Sequence, residues 1–495
     1  MRKIIKILSS KIFYICLLIV LQILSAVMLV YCLESFSVYI GIFFRIISFC
    51  IIIYISNRSQ NTMFMFSWSV LILTFPVMGW LFYLLFERNG AEKKLKRFRL
   101  DIDKCSFQKS GCWPDNISSV FQCIYNLSGA NIYENTATEF FESGEKFYVT
   151  FINELKKAKK YIYLEYFIVS EGKVWNEIYG IIKEKSRQGV DIRFIYDDMC
   201  CSMFSKKFRN ELEKEGIYTI PFNKLRPFPD VFINYRDHRK ITVIDGNTAF
   251  TGGLNIADEY MNKKKRFGYW KDTALMIKGD AVSEFTEMFV KMWNQCSSFY
   301  LSNISGDNII YNENGYVQPF GSVPDKVIGT ARMAYIKLIN QAVRYIYITT
   351  PYLVPDSEMM NALCLASRSG VDVKIITPYI PDKWYIQIST RSNYKQLLEN
   401  GVHIYEYLPG FIHSKTIVTD DESAIIGTAN FDFRSFYFLF ENGVFMYRTK
   451  AVRQMKTDFE NVLKVSLKTD IAMCDEISVT KKMISSFLKL IAPLM

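Results

Sequence analysis

Histidine is the scarcest chemistry-bearing residue in this chain, with three among 495 residues. The eleven cysteines are odd in number and irregularly spaced, with no Cys-x-x-Cys pair and no Cys/His cluster, so neither a zinc site nor a disulfide framework is expected. No group of aspartates and glutamates shows metal-ligand spacing either, and no metal or other cofactor is implied. Long apolar runs are missing from most of the chain but crowd its first 90 positions, which points to membrane segments rather than a uniformly greasy soluble core. An excess of anionic charge is also absent. The net charge of +11 suits nucleic acid or an anionic membrane surface equally, and only the placement of the apolar runs favours the membrane.

Three apolar segments stand at the start. Ile12 to Leu33 is interrupted only by Gln22 and Ser25, long enough to cross a hydrocarbon core of ~30 Å as a helix. Val38 to Ile55 (38–55) carries Arg45, which is costly at mid-bilayer. Met63 to Phe86 (63–86) contains Pro76 and Gly79, both tolerated in membrane helices. The cluster Arg88, Lys93, Lys94, Lys96, Arg97 and Arg99 follows, and the positive-inside rule assigns it to the cytoplasm. Arg2, Lys3, Lys6 and Lys11 ask for the same side at the other end, yet three crossings would separate the two. Either the N-terminus lies outside or one segment is re-entrant or interfacial, the one holding Arg45 being the first suspect. Residues 1–87 are thus expected to be a membrane anchor with candidate spans 12–33, 38–55 and 63–86, and 88–130 a basic linker.

The rest of the chain repeats itself. "KKYIYLEYFIV" (159–169) resembles "VRYIYITTPYLV" (343–354), and "RQGVDIRFIYDD" (187–198) resembles "RSGVDVKIITPY" (368–379). The offset shrinks from 184 residues to 181 and then to 175 at His238 and His413, as duplicated units differing by loop deletions would give. Within each unit β-branched and aromatic runs alternate with helical stretches; Val174, Trp175, Ile178, Ile181 and Ile182 fall on one helix face. Gly189 and Gly370 stand where a helix should stop before the next strand. The fold class expected is α/β, two sandwich repeats at 131–310 and 311–495, the second with a C-terminal tail. That tail, "KKMISSFLKLIAPLM", could lie on a bilayer or pack on the second repeat.

Two of the three histidines sit in near-copies of one pattern. "DHRKITVIDGNTAFTGGLN" (237–255) and "IHSKTIVTDDESAIIGTAN" (412–430) each give His-x-Lys, an Asp five residues after the Lys, and Gly-x-x-Asn seven residues beyond the Asp. On a strand, residues two apart share a face, so imidazole and ammonium would enter one cleft together. A lysine cation can neutralise the non-bridging oxygens of a phosphodiester, and histidine can act as nucleophile or proton donor near neutral pH. The candidate catalytic set is His238, Lys240, Asp245, His413, Lys415 and Asp420, with Asn255 and Asn430 as phosphate-binding amides. Asp245 and Asp420 stand at what look like turns and read as mainly architectural. Proximity of two imidazoles and two ammoniums is expected to split the histidine titrations, giving one base and one acid. His403, in "GVHIYEY", lacks such surroundings and reads as structural.

These paired motifs resemble the phospholipase D superfamily, and from about residue 38 onward the chain is similar to its bacterial cardiolipin synthase family. "RDHRKITVIDGNTAFTGGLNIADEY", "GYWKDTALMIKGDAV", "TTPYLVPD", "GFIHSKTIVTDDESAIIGTANFDFRS" and the final "APLM" carry the resemblance, as does "SWSVLILTFPVMGWLFYLLF" in the membrane region. The resemblance implies a pseudo-twofold pair of phospholipase D-like repeats preceded by N-terminal transmembrane helices. It implies transfer of a phosphatidyl group from one phosphatidylglycerol to another through a phosphatidyl-histidine, with His238 as nucleophile and His413 as acid and then base. It also implies that Asp272, in "YWKDT", orients His413 and that Glu441, in "FENG", orients His238. From the residues alone either carboxylate could equally sit in an ordinary surface salt bridge. The family pattern near Glu441 reads "FEVN"-like, so "FENG" is a departure. Expected partners are phosphatidylglycerol and other anionic membrane lipids, with no nucleic acid, and the expected location is the cell membrane with the repeats in the cytoplasm. A phospholipid hydrolase, or a phosphatidyltransferase with another donor or acceptor, would use the same motif.

Overall fold

The computed structural model describes residues 37–58, 62–87, 95–98, 115–225, 234–302, 309–325, 327–475 and 479–491, with Gly306 and a few positions between 17 and 27. The chain forms two compact units, one of Met1–Arg97, Asn223–Tyr235 and Leu490–Met495, the other of Phe98–Phe222 and Arg236–Lys489.

The first unit contains α1 (Ser37–Arg58), α2 (Thr62–Thr74) and α3 (Pro76–Glu87). Most of the expected span 12–33 lies outside the described residues. The expected span 38–55 is helical, but Arg45 interrupts it and leaves Ile46–Ile55, ~15 Å of helix, as its continuous apolar part. The expected span 63–86 is corrected: it is two helices broken at Phe75, because Pro76 has no N–H to give to the helix before it. Among the described residues no helix is long and apolar enough to cross a membrane.

The second unit holds the repeats. The first repeat builds a seven-stranded sheet in the spatial order Thr136–Phe141, Ala274–Gly279, Thr248–Gly252, Lys240–Ile244, Tyr161–Tyr166, Asp191–Asp197 and Ile217–Phe222. The second repeats that order with Tyr316–Ser322, Leu439–Tyr447, Ser423–Gly427, Thr416–Thr419, Tyr345–Thr349, Asp372–Pro378 and His403–Tyr407, then adds Ser466–Thr469 at the edge. Tyr161–Tyr166 is buried along its whole length and pairs in parallel with Asp191–Asp197, at the centre of the sheet. Lys173–Arg187 covers the sheet with the face read from sequence, Val174, Trp175, Ile178, Ile181 and Ile182. Its first turn is capped from a distance: Asp258 accepts from the N–H groups of Lys173 at 3.1 Å and Val174 at 2.9 Å. Gly189 and Gly370 follow their helices with φ of +89° and +94°, the left-handed end that glycine adopts without strain.

Part of the expected linker is structured. Asp115–Ser128 is a helix in this unit, and Phe121 meets Tyr316 and Phe445 with ring centroids 6.0 and 4.9 Å apart. Gln318 Nε2 donates to the carbonyls of Phe121 at 3.2 Å and Ala130 at 2.9 Å. The helix therefore belongs to the core of the second repeat.

The two repeats exchange strands. Arg236–Asp237 pairs in parallel with Leu439–Phe440, and Tyr269–Lys271 pairs in parallel with Gly410–Ile412. The His238 N–H donates to Phe440 O at 2.9 Å and the His413 N–H to Lys271 O at 2.7 Å, a reciprocal arrangement that gives the pair its approximate twofold character.

Candidate active site

Each motif histidine stands where its chain changes sheets. Arg236–Asp237 is bonded to the second repeat, Lys240–Ile244 to the first, and His238 and Arg239 lie in the gap between. In the other copy Gly410–Ile412 is bonded to the first repeat, Thr416–Thr419 to the second, and His413, Ser414 and Lys415 bridge them. The sequence places His and Lys two apart on one strand; the structure instead puts them at a strand break. Lys240 Nζ turns back to donate to His238 O at 2.6 Å, and Lys415 Nζ does the same to His413 O.

Both imidazoles are held by carboxylates of the opposite repeat. His238 Nδ1 lies 2.9 Å from each oxygen of Glu441, and His413 Nδ1 lies 2.7 Å from Asp272 Oδ2. All four side chains are buried. A carboxylate beside Nδ1 accepts a hydrogen bond from the Nδ1–H, which leaves Nε2 with a free lone pair on each ring. Aromatic walls exclude water around them: Phe167 lies 4.8 Å from His238, centroid to centroid, and Trp270, Tyr260 and Phe411 lie 5.4, 5.6 and 5.8 Å from His413.

Burial pushes the His238 imidazole from its ordinary 6.5 down to about 4; Glu441 opposes this and Lys240 adds to it. His413 is likewise lowered to about 4, first by burial and then by Lys415, against the pull of Asp272. Each histidine feels both lysines, so the four groups share one electrostatic environment. Burial is the leading cause at both histidines, and it lowers each of them. Burial also lowers Lys240 to about 8 and Lys415 to about 7, while the imidazole and Lys240 help to hold Glu441 below its usual range despite burial. A phosphate anion entering this dry, cation-lined space would favour protonation of the groups around it.

The motif aspartates lie elsewhere. Asp245 accepts from the N–H groups of Lys159, Lys160 and Tyr161 at 2.8, 2.7 and 2.9 Å, and Asp420 from Val343, Arg344 and Tyr345 at 2.7, 2.8 and 2.9 Å. Their φ values of +55° and +56° make the tight turn. Each sits at the far end of its strand from the histidine, ~20 Å of extended chain away, so it fastens the neighbouring central strand and does not meet the reacting groups. Placing these two in the catalytic set is thereby corrected.

The asparagines differ from one another. Asn255 Oδ1 accepts from Ile168 N–H at 3.0 Å and its Nδ2 donates to Tyr260 Oη at 2.9 Å, so this amide supports the aromatic wall. Asn430 is buried, and its Oδ1 has no hydrogen-bond partner among the described residues. His403 pairs in the strand register with Lys374, away from the motif histidines in sequence and sheet position.

Several residues at the site are not singled out by the motif pattern. Thr428 Oγ1 donates to Glu441 Oε2 and accepts from Asn442 N–H at 3.0 Å. The equivalent position in the first copy is Gly253, where a Cβ would stand 2.0 Å from Asp272 Oδ1. Comparing "GGLN" with "GTAN" exposes this difference in the sequence, but only the fold shows what each faces. Asn442, the departure in "FENG", donates to Thr251 Oγ1 at 2.7 Å and accepts from Lys240 N–H at 3.4 Å, tying the repeats together. Beside the site, Arg236 clasps Asp197 through Nε and Nη2 at 2.9 and 3.0 Å, a fully buried pair that anchors the strand leading to His238.

Two repeats of this topology, each with a buried histidine held by a carboxylate of the other, are those of a phospholipase D-like protein. The family described as cardiolipin synthase, PLD-like domain, matches residues 151–293 and 335–463, so the chain belongs to that family. It is 36% identical to the cardiolipin synthase of Geobacillus sp. (strain WCH70), covering 89% of this chain and 91% of that protein. It is 34% identical to cardiolipin synthase 2 of Bacillus anthracis, covering 90% and 89%. An uncharacterized protein of Streptococcus mutans is 38% identical over 90% of this chain and 99% of its own. Among solved structures, phosphatidylserine synthase of Haemophilus influenzae Rd KW20 superposes with a TM-score of 0.58 at 15% identity, over 75% of this chain and 97% of that one, which supports the fold.

Proposed function

We propose that this protein is a cardiolipin synthase acting by two-step phosphatidyl transfer. The observation that carries the reading is the reciprocal pair His238–Glu441 and His413–Asp272, set around two buried lysines in a chain of this family. Nε2 of neutral His238 attacks phosphorus of one phosphatidylglycerol while its bond to the terminal glycerol oxygen breaks. His413, protonated as the anionic substrate arrives, delivers its proton to that oxygen, and glycerol leaves. His413 then takes the proton from a free hydroxyl of a second phosphatidylglycerol as that oxygen attacks phosphorus and the P–N bond to His238 breaks. The products are cardiolipin and glycerol. Lys240, Lys415 and the Asn430 amide bind the phosphate oxygens, whose charge grows in each transition state. Glu441 and Asp272 fix each ring and stabilise it when it carries charge. Burial of both imidazoles keeps water from the phosphatidyl-histidine, which favours a lipid alcohol as acceptor.

The protein is further proposed to be attached to the cell membrane through residues 1–87, with the catalytic repeats on the cytoplasmic side. The apolar composition of that region and the basic cluster from Arg88 to Arg99 support this.

Full-length protein in mixed micelles containing headgroup-labelled phosphatidylglycerol should give cardiolipin and free glycerol in equal amounts. Phosphatidic acid as the main product would establish a hydrolase and overturn the proposal.

A further inference from the structure

The break at Phe75 does more than shorten a span, because the two helices on either side of it double back on one another. In a straight helix residues seven apart are ~10 Å distant, yet a Cβ on Gly79 would lie 2.7 Å from Ile72 Cα and 2.8 Å from Leu71 O. The same pairing runs down the arms: the Trp68 ring lies 5.3 Å from Tyr83 and 5.9 Å from Phe82. Helices α2 and α3 therefore form an antiparallel hairpin, closed by a glycine where the two backbones touch. Helix α1 lies against it, and Ser48, midway along α1, donates to Pro76 O at 3.5 Å beside the turn.

The hairpin has the chemistry of a lipid-embedded element. From Thr62 to Phe86 it carries no charged residue. Three of its hydroxyls bond within the unit: Ser67 and Ser69 donate to Met63 O at 2.9 Å and Met65 O at 2.8 Å, and Thr74 to Val70 O at 2.8 Å. Phe66, Leu73 and Leu84 point outward. Water would penalise such a surface, whereas a bilayer would not. Each arm is 13 or 12 residues long, ~18–20 Å, enough to pass one leaflet and too short for a ~30 Å hydrocarbon core.

We propose that Thr62–Glu87 is a re-entrant hairpin that dips into the bilayer from the cytoplasmic face and returns to it. This rests on the membrane attachment proposed above and specifies its topology: Arg58 before the hairpin and the Lys96–Arg97 cluster after it lie on the same side.

The test uses single cysteines at Asn57, Phe75 and Lys96 in full-length protein whose native cysteines are replaced, keeping variants that still make cardiolipin. Right-side-out and inverted vesicles are treated with a membrane-impermeant maleimide. Asn57→Cys and Lys96→Cys should both react only in inverted vesicles. Phe75→Cys should react in neither, and a fluorophore placed there by a permeant reagent should be quenched by lipids brominated deep in their acyl chains. Reaction of Asn57→Cys and Lys96→Cys from opposite sides would make the segment a true span and overturn the hairpin. Reaction of Phe75→Cys with the impermeant reagent would place the turn in water, with the same result. Release of the whole protein by alkaline carbonate would instead remove the wider reading of membrane attachment.

Discussion

His238 draws its orienting carboxylate from the other repeat: its Nδ1 stands 2.9 Å from both oxygens of Glu441, 203 residues further along the chain. Glu441→Gln should keep the fold and the ring contact but present an amide that can also donate, which disturbs the tautomer. Cardiolipin synthesis should fall by about 10²–10⁴-fold, with Asp272→Asn giving a loss of the same order through His413. Rates close to wild type for both variants would deny these carboxylates any role in positioning.

The assignment of roles to the two histidines is open to direct trapping. His238→Ala should abolish the acid-labile phosphatidyl-enzyme altogether. His413→Ala should still accumulate some when the donor lipid carries a good leaving group, because the acid is then dispensable. The reverse pattern would exchange the roles.

Acid should weaken the folded state through these same rings. An unfolded histidine takes up its proton near 6.5, whereas His238 and His413 stay neutral in the fold until about 4, so between those values the unfolded chain binds more protons. Stability should therefore fall as pH drops from about 6.5 to about 4, by on the order of 3 kcal/mol for each histidine if they titrate independently. Denaturation measured across that window should flatten in the double variant His238→Asn, His413→Asn. An unchanged slope would mean the rings are not buried neutral.

Thr428 should matter through Glu441. Thr428→Val removes the hydroxyl that donates to Glu441 Oε2 and leaves a buried carboxylate oxygen one partner short. The loss should be about 10-fold or more in kcat with a shifted pH–rate profile, and Thr428→Ser should restore both. Valine and serine variants of equal activity would show that this hydroxyl only fills space.

Asp245 and Asp420 should behave as fasteners. Asp245→Ala strips the acceptor from three backbone N–H groups and should cost about 1–3 kcal/mol in chemical denaturation, while kcat of the folded fraction stays near wild type. A large drop in kcat without loss of stability would return this residue to the chemistry.

The doubled architecture was legible because duplication writes the same signals twice: helix stops at Gly189 and Gly370, apolar central strands, and motifs in one order. The pairing of Glu441 with His238 and Asp272 with His413 came from family resemblance, since no local pattern tells which of two distant carboxylates crosses between repeats. Two things escaped for physical reasons. The length and apolarity of 63–86 are those of a span, and only the Gly79–Ile72 approach distinguishes two antiparallel arms from one straight helix. The lowering of both histidines has burial as its leading cause, which sequence does not report. The architectural part of Asp245 and Asp420 was legible from their place at a turn, and the structure adds which backbone N–H groups they fasten.

The exchange of strands at each histidine bears on ancestry. A single copy of this unit would present an imidazole with no carboxylate and a carboxylate with no imidazole, so it could complete a site only by meeting its twin in a symmetric homodimer. Joining both copies in one chain keeps that dependence and ends the requirement for sameness. One half could then take threonine where the other keeps glycine, and the two ends of a once symmetric site became free to specialise.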